Sequence, residues 1–382
     1  MGKLPPYSTW VNVDLEAVRG NVRFIKDHTG SEVMAIVKAN AYGHGALPVA
    51  RAALQGGASW CGVARPDEAL QLREGGIKNP ILILGFIRPE SIPDMIKHEI
   101  SLTVWTEDHI QGIARQAQDM HQTARLHLKI DSGMGRLGCF PEDAARLAQL
   151  IQDTPNLALQ GVFSHLARAD EPDPHPTDRQ QKAFSRALSH LAEKEINPPY
   201  RHLANSAASL NRPGAHFNLV RLGISLYGLP PSSAVPLPDT FQRALTWKTV
   251  LAAVRSLPPG HGVSYGHEYV TRGRETIGAL PMGYADGFRR LPGNEVLIHG
   301  QKCPVVGRVC MDQTMVQLDG IQDPQVGDEV VLIGKQGERE ITADEVGQRW
   351  GTINYEVTCG IGPRVPRLYE NQSGRNTNPG SK

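Results

Sequence analysis

Between residues 33 and 227, eight short apolar runs alternate with amphipathic stretches. The runs span 33–39, 60–64, 81–85, 101–105, 124–130, 158–165, 201–204 and 219–227, with helix patterns at 66–74, 141–152 and 180–195 between them. Pro66 and Pro141 suit first helical positions, and the acidic pairs Asp67-Glu68 and Glu142-Asp143 follow where the helix dipole favours them. Eight such units predict an α/β fold of the (β/α)8 TIM barrel type. A doubly wound open sheet shares the periodicity and remains the competitor.

The pattern breaks at 229–240, where prolines and serines mark a linker. Beyond it, short branched runs at 295–299, 304–309, 314–318 and 329–333 predict a mainly-β domain, with one helix near 342–350. The expected division is a barrel over 1–240, whose first few residues could pack with the C-terminal domain, a β domain over 241–370 and a disordered polar tail over 371–382. Residues 171–176 read as a solvated loop.

The 382 residues, 40% hydrophobic and 21% charged, suffice for two packed domains. With 40 basic and 39 acidic side chains the formal charge is +1, which offers no field for nucleic acid or an anionic membrane. The longest clean apolar run, 81–84, cannot span a bilayer, and the first residues lack a signal-peptide core, so a cytoplasmic location is expected. Five scattered cysteines without metal or redox spacing predict free thiols. None of the 14 histidines forms HExxH, and no metal is expected.

In such a barrel the chemistry collects at the carboxyl ends of the strands. The first unit ends in Val37-Lys38-Ala-Asn-Ala-Tyr42-Gly-His-Gly45. This delivers an amine from an apolar strand into a glycine-bearing turn, a setting for a lowered pKa and imine chemistry. The fifth unit offers Lys129 and Arg136, the sixth His165, the seventh Asn205 and Ser206, and the eighth Arg221, Gly223 and Ile224. Loops after the last two strands form the usual phosphate cradle of this fold, and Gly223 permits close backbone approach. An amine and a phosphate cradle together predict pyridoxal 5′-phosphate held through lysine. Structural roles compete: Tyr42 in packing, Ser206 as a helix cap, His165 as a core histidine. Arg221, between apolar neighbours, needs a partner in any reading. Gly133-Met-Gly-Arg-Leu-Gly138 matches GxGxxG, with Asp153 near the expected acidic position. It lies in the fifth unit and carries Arg136 inside the fingerprint, so a glycine-rich active-site loop is preferred to a dinucleotide site.

Taken in order, Val37–Gly45, Lys129-Ile-Asp-Ser-Gly-Met-Gly-Arg136, Val220-Arg-Leu-Gly-Ile-Ser-Leu-Tyr-Gly228, Val263-Ser-Tyr265-Gly, Gly283-Tyr-Ala-Asp-Gly287, Cys310-Met-Asp312 and Thr352-Ile-Asn-Tyr-Glu356 resemble bacterial alanine racemases over nearly the whole chain. The resemblance implies a barrel with a C-terminal β domain, a homodimer with shared active sites, pyridoxal phosphate, and interconversion of L- and D-alanine for peptidoglycan. It implies Lys38 and Tyr265 as the two catalytic bases, the tyrosine coming from the partner subunit. Tyr42, Ser206, Gly223, Ile224 and Tyr355 would hold the phosphate, and Arg221 would face the pyridine nitrogen. Arg136 would reach the phenolic oxygen and the substrate carboxylate, helped by the Met311 N–H. His165 would contact Tyr265. Lys129 matches a position carbamylated in some members, and Tyr284 and Tyr355 would narrow the entrance.

Racemisation removes the α-proton from one face and returns one to the other, which two opposed bases do most simply. Free tyrosine titrates near ~10 and lysine near ~10.4, so both must be tuned down. Burial and imine formation would lower the lysine, and a positive network of His165 and Arg221 the tyrosine. An arginine at the pyridine nitrogen leaves it unprotonated and disfavours transamination. The alternatives are a non-catalytic pyridoxal-phosphate barrel, a decarboxylase with an acid at that nitrogen, an aldolase using Lys38 alone, and a racemase for serine or another amino acid.

Overall fold

The computed structural model describes residues 4–370; the tail read as disordered, 371–382, lies outside the described residues. The chain divides into two compact units, one of residues 16–243 and one joining residues up to 15 with those from 244 onward.

Strand β1 (Thr9–Asp14) belongs to the second unit. The first unit holds β2 (Glu32–Ile36), β3 (Trp60–Val63), β4 (Ile81–Ile83), β5 (Ser101–Val104), β6 (Ala124–Lys129), β7 (Leu157–Phe163), β8 (Tyr200–His202) and β9 (Leu219–Leu222). These form one parallel sheet in the order β8-β7-β6-β5-β4-β3-β2-β9. All eight expected strands are present. Sequential order with the first strand paired to the last is that of a barrel; a doubly wound sheet reverses direction part-way. Every residue of β3, β4 and β5 is buried, as strands covered on both faces must be. Among the described residues, β8 and β9 share no ladder. That seam is closed by the Arg221 N–H, donating to Ala204 O at 3.1 Å, and by the Arg201 N–H, donating to the Asn218 side-chain oxygen at 2.8 Å.

Helix Pro66–Glu74 begins at its proline as expected, and Glu68 Oε2 accepts the Ala64 N–H at 2.8 Å. Pro141, by contrast, stands in a turn before helix Ala144–Asp153. The helix expected at 180–195 runs His175–Glu193, because Asp173 Oδ1 accepts the His175 N–H at 3.0 Å and Pro176 fits a first turn; the loop read at 171–176 is shorter by that much. Residues 229–240 are packed rather than free: Leu229 and Val235 are buried, and the Ser232 hydroxyl donates to Asp170 O.

In the second unit, Gln301–Pro304, Glu295–Ile298, Glu329–Gln336, Leu245–Val250, β1 and Arg367–Glu370 lie side by side. Ala253–Leu257, Glu275–Leu280 and Thr314–Gln317 form another sheet. The strand expected at 304–309 is Gln301–Pro304, folded back on Glu295–Ile298 through His299 and Gly300 at φ of 49° and 73°. Pro304 lacks an N–H and stands at the end of the ladder. The helix expected at 342–350 is Ala343–Arg349, capped reciprocally by Thr342 and Glu345.

Candidate active site

Lys38 leaves β2 into an unusual turn. Ala39, Asn40, Ala41 and Tyr42 have φ of 52°, 52°, 53° and 52°, a left-handed helical turn of residues that all carry a Cβ. Each costs roughly 1–2 kcal/mol relative to a right-handed residue, so neighbours must hold it. Glu68 Oε1 accepts the Ala39 N–H at 2.5 Å, and Asn40 Oδ1 accepts the Ala46 N–H at 2.9 Å. The strain sits directly after Lys38 in the chain.

Beyond β8, Asn205 Oδ1 caps helix Ser206–Asn211 by accepting the Ala208 N–H at 3.1 Å. The buried Ser206 hydroxyl oxygen accepts the Gly223 N–H at 2.9 Å. A Cβ on Gly223 would lie 3.1 Å from Tyr42 Oη and 3.6 Å from Ser206 Oγ, so these three groups line one small space that glycine leaves open. Ile224 follows directly, opening the turn Ile224–Tyr227.

Arg221 is buried in β9. Its Nη2 donates to Ser164 O at 2.8 Å, Leu203 O at 3.0 Å and His165 Nδ1 at 3.1 Å. Its Nη1 donates to His202 O and His202 Nδ1, each at 3.0 Å. Guanidinium offers only donors, so both histidines accept on Nδ1 as neutral rings. Burial pushes Arg221 down to about 9, which leaves it cationic at neutral pH. Burial, then the Arg221 charge, holds His165 well below the usual imidazole range. Of the expected positive pair, His165 is neutral and Arg221 carries the charge.

Lys129 ends β6 and is 6% exposed, its Nζ 5.4 Å from the centre of the Phe163 ring. Burial, then the charges of Arg136, Arg221 and Lys38, lowers it to about 8. The loop after it explains the GxGxxG likeness. Asp131 Oδ1 accepts the N–H groups of Gly133, Met134 and Gly135 at 2.9, 2.8 and 3.1 Å. The chain's own carboxylate occupies the donors a pyrophosphate would need, and Arg136 is left exposed.

The second unit presents the remaining candidates. Tyr265 is 68% exposed on a turn where Ser264, Gly266 and His267 have φ of 63°, 74° and 45°. The Ser264 hydroxyl anchors that turn by donating to Arg308 O at 2.6 Å. Tyr284 and Met311 belong to touching loops: Tyr284 N–H donates to Cys310 O at 3.0 Å, and a Cβ on Gly283 would meet that oxygen at 2.1 Å. Buried Asp286 accepts from the Gly283 N–H at 2.8 Å and from Arg364 Nε at 2.7 Å. Tyr355 lies on the short helix Asn354–Cys359.

Two family profiles match the chain: "Alanine racemase, N-terminal domain" over residues 13–231 and "Alanine racemase, C-terminal domain" over residues 244–369. The chain belongs to the alanine racemase family. It is 46% identical to the alanine racemase of Symbiobacterium thermophilum over 364 residues, 94% of this chain and 97% of that one. Its fold is similar to that of the Clostridium difficile 630 alanine racemase (TM-score 0.93, 38% identity, 98% of each chain). It is also similar to the Bacillus anthracis alanine racemase with bound L-Ala-P (TM-score 0.92, 41% identity, 98% of each chain).

Four residues of this racemase-family site escaped the sequence reading: Glu68, His127, Ser164 and His202. Glu68 was visible only as first-turn acid. His127 stands two residues before Lys129, hence on the same strand face, and that period was the available signal. Ser164 offers a main-chain carbonyl, which no side-chain pattern reveals.

Proposed function

We propose that this chain interconverts L- and D-alanine with pyridoxal 5′-phosphate as cofactor, Lys38 and Tyr265 acting on opposite faces of the α-carbon. One observation carries the reading. A single barrel mouth gathers an amine, a hydroxyl-and-backbone cradle (Tyr42, Ser206, Gly223) and a buried arginine that can only donate. That donor set fits a phosphorylated pyridine aldehyde. When bound, the cofactor supplies a sink for the electrons left at the α-carbon.

Lys38 would carry the cofactor and exchange the proton on one face. Tyr42, Ser206, Gly223, Ile224 and Tyr355 would hold the phosphate, with Asn205 fixing the Ser206 helix. Arg221 would donate to the pyridine nitrogen; an arginine held near 9 keeps its proton at neutral pH and does not hand it over. By leaving that nitrogen unprotonated, Arg221 would favour racemisation over transamination. Arg136 and the Met311 N–H would bind the substrate carboxylate. His165, neutral, would accept from Arg221 and donate through Nε2 toward Tyr265. Tyr284 and Tyr355 would narrow the entrance.

Lys129 would be carbamylated: its uncharged Nζ attacks carbon dioxide, an N–C bond forms and a proton leaves to solvent. At about 8, roughly a tenth of the amine is unprotonated near pH 7. The product carboxylate would orient Arg136. A homodimer completes the reading, with Tyr265 supplied across the interface. Tyr265, Tyr284, Met311 and Ile353 are exposed at 68%, 42%, 53% and 61%, and large apolar side chains left in water are what a second copy would cover. Among the described residues no helix is long and apolar enough to cross a membrane, and a cytoplasmic source of D-alanine for the cell wall accords with that.

The deciding experiment is Lys38→Ala. Purified wild type should be yellow and interconvert the alanine enantiomers, and the variant should lose both properties. Full activity in the variant sinks the assignment. A serine rate equal to the alanine rate would move the reading to a broader amino acid racemase.

A further inference from the structure

The hydrogen-bond chain that starts at Arg221 continues past His202. His202 Nε2 lies 3.0 Å from His127 Nδ1, and both rings are completely buried. A neutral imidazole has one donor and one acceptor. His202 uses Nδ1 to accept from Arg221, so its proton sits on Nε2 and is donated to His127 Nδ1. His127 must then carry its own proton on Nε2. That atom has no well-formed hydrogen bond; Gln160, held by a 2.6 Å bond from the Ser101 hydroxyl, is the polar side chain acting on the His127 ring.

The fold makes room for this ring. The β6–β7 ladder shifts register between Leu126 and His127, setting His127 opposite Gly161. A Cβ on Gly161 would stand 2.5 Å from His127 Nδ1. The Trp60 ring meets His127 edge-on at 5.3 Å, and Phe163 stacks on His202 at 4.7 Å. An apolar side chain would fill such a dry place at lower cost than a ring with an ill-satisfied donor.

We propose that His127 is a positioning residue. By accepting from His202 Nε2–H it locks His202 in the tautomer that accepts from Arg221, and so holds the guanidinium in its working orientation. The other His202 tautomer would set N–H against N–H at Arg221. The consequence for turnover rests on the pyridoxal-phosphate reading above; the lock itself does not.

The test uses histidine-ring 15N labelling of the full-length apoenzyme and holoenzyme, with long-range 1H–15N spectra that show which ring nitrogen is protonated. His127→Leu removes the acceptor. The His202 signals should lose their single Nε2–H pattern, kcat should fall about tenfold or more with KM nearly unchanged, and transamination should rise relative to racemisation. His127→Asn, whose amide oxygen replaces Nδ1, should restore the pattern and most of kcat; His127→Gln, whose oxygen sits too far out, should not. Gly161→Ala should reproduce the leucine phenotype with the histidine still present. A single Nε2–H tautomer and unchanged kcat in His127→Leu would overturn the proposal. If the leucine variant does not fold, equal spectra and kcat for His127→Asn and His127→Gln overturn it instead. If wild type fails to racemise alanine, the functional reading falls, while the ring spectra still decide the lock.

Discussion

Arg221 gathers five buried acceptors: three main-chain carbonyls and two imidazole nitrogens. Arg221→Met should cost more than about 3 kcal/mol in urea unfolding of the apoenzyme, because several buried acceptors lose their donors together. A loss under 1 kcal/mol, by the same per-bond scale, would mean water replaces the guanidinium. The histidines around it carry a pH signature. His127 is pushed down to about 3, and His202 well below 6.5, chiefly by burial. Between pH 6.5 and the lowered values, the unfolded chain binds protons that the folded chain does not. His165 is lowered likewise, so stability falls as pH drops below about 6.5, by up to about 4 kcal/mol per pH unit for the three rings. Urea unfolding at pH 7, 6 and 5 measures that slope, and His127→Asn should remove about a third of it. At Lys129 the sign concerns reactivity. Raising the pH through about 8 uncharges the amine, so the proposed carbamate should form increasingly over that range. A 13C signal from labelled carbon dioxide, absent in Lys129→Gln, would report it.

Among the elements, the left-handed turn after β2 is the one whose cost is visible. Glu68 bridges two elements there, accepting from Ala39 and from Ala64 and Arg65 at the start of its own helix. Glu68→Ala should lower stability by about 1 kcal/mol, the ordinary value of such a cap, and should slow turnover because the turn bearing Lys38 loosens. Glu68→Gln keeps an acceptor and should recover most of both. Unchanged kinetics in the alanine variant would show that Asn40 and packing suffice to hold the turn. Helix ends were legible where capping chemistry is local, as at Pro66 and at Thr342 with Glu345. They were misjudged where a proline serves equally well in a turn, as Pro141 does. The hairpin at His299-Gly300 was missed because positive φ at a histidine leaves little trace in composition.

At the scale of the whole molecule, the proposed bases lie in different units, Lys38 in the barrel and Tyr265 in the other. If two copies share their sites, neither Lys38→Ala nor Tyr265→Ala turns over alone. Mixed after unfolding and refolding together, they should regain about a quarter of wild-type activity. That value assumes random pairing to half heterodimers with one working site of two. No recovery, with heterodimers demonstrated by mass, would argue for self-contained subunits.

The apolar period of the chain, and the order of its lysine, tyrosine and arginine motifs, were enough to establish eight parallel strands, a β-rich second unit and the family. Those properties are written in local backbone geometry and in contiguous motifs. Folding alone decided how the β8–β9 seam closes, that a carboxylate fills the glycine loop, and that two histidines 75 residues apart share a proton. Such contacts depend on the register of strands far apart in sequence, and burial rather than residue type then assigns each group its charge.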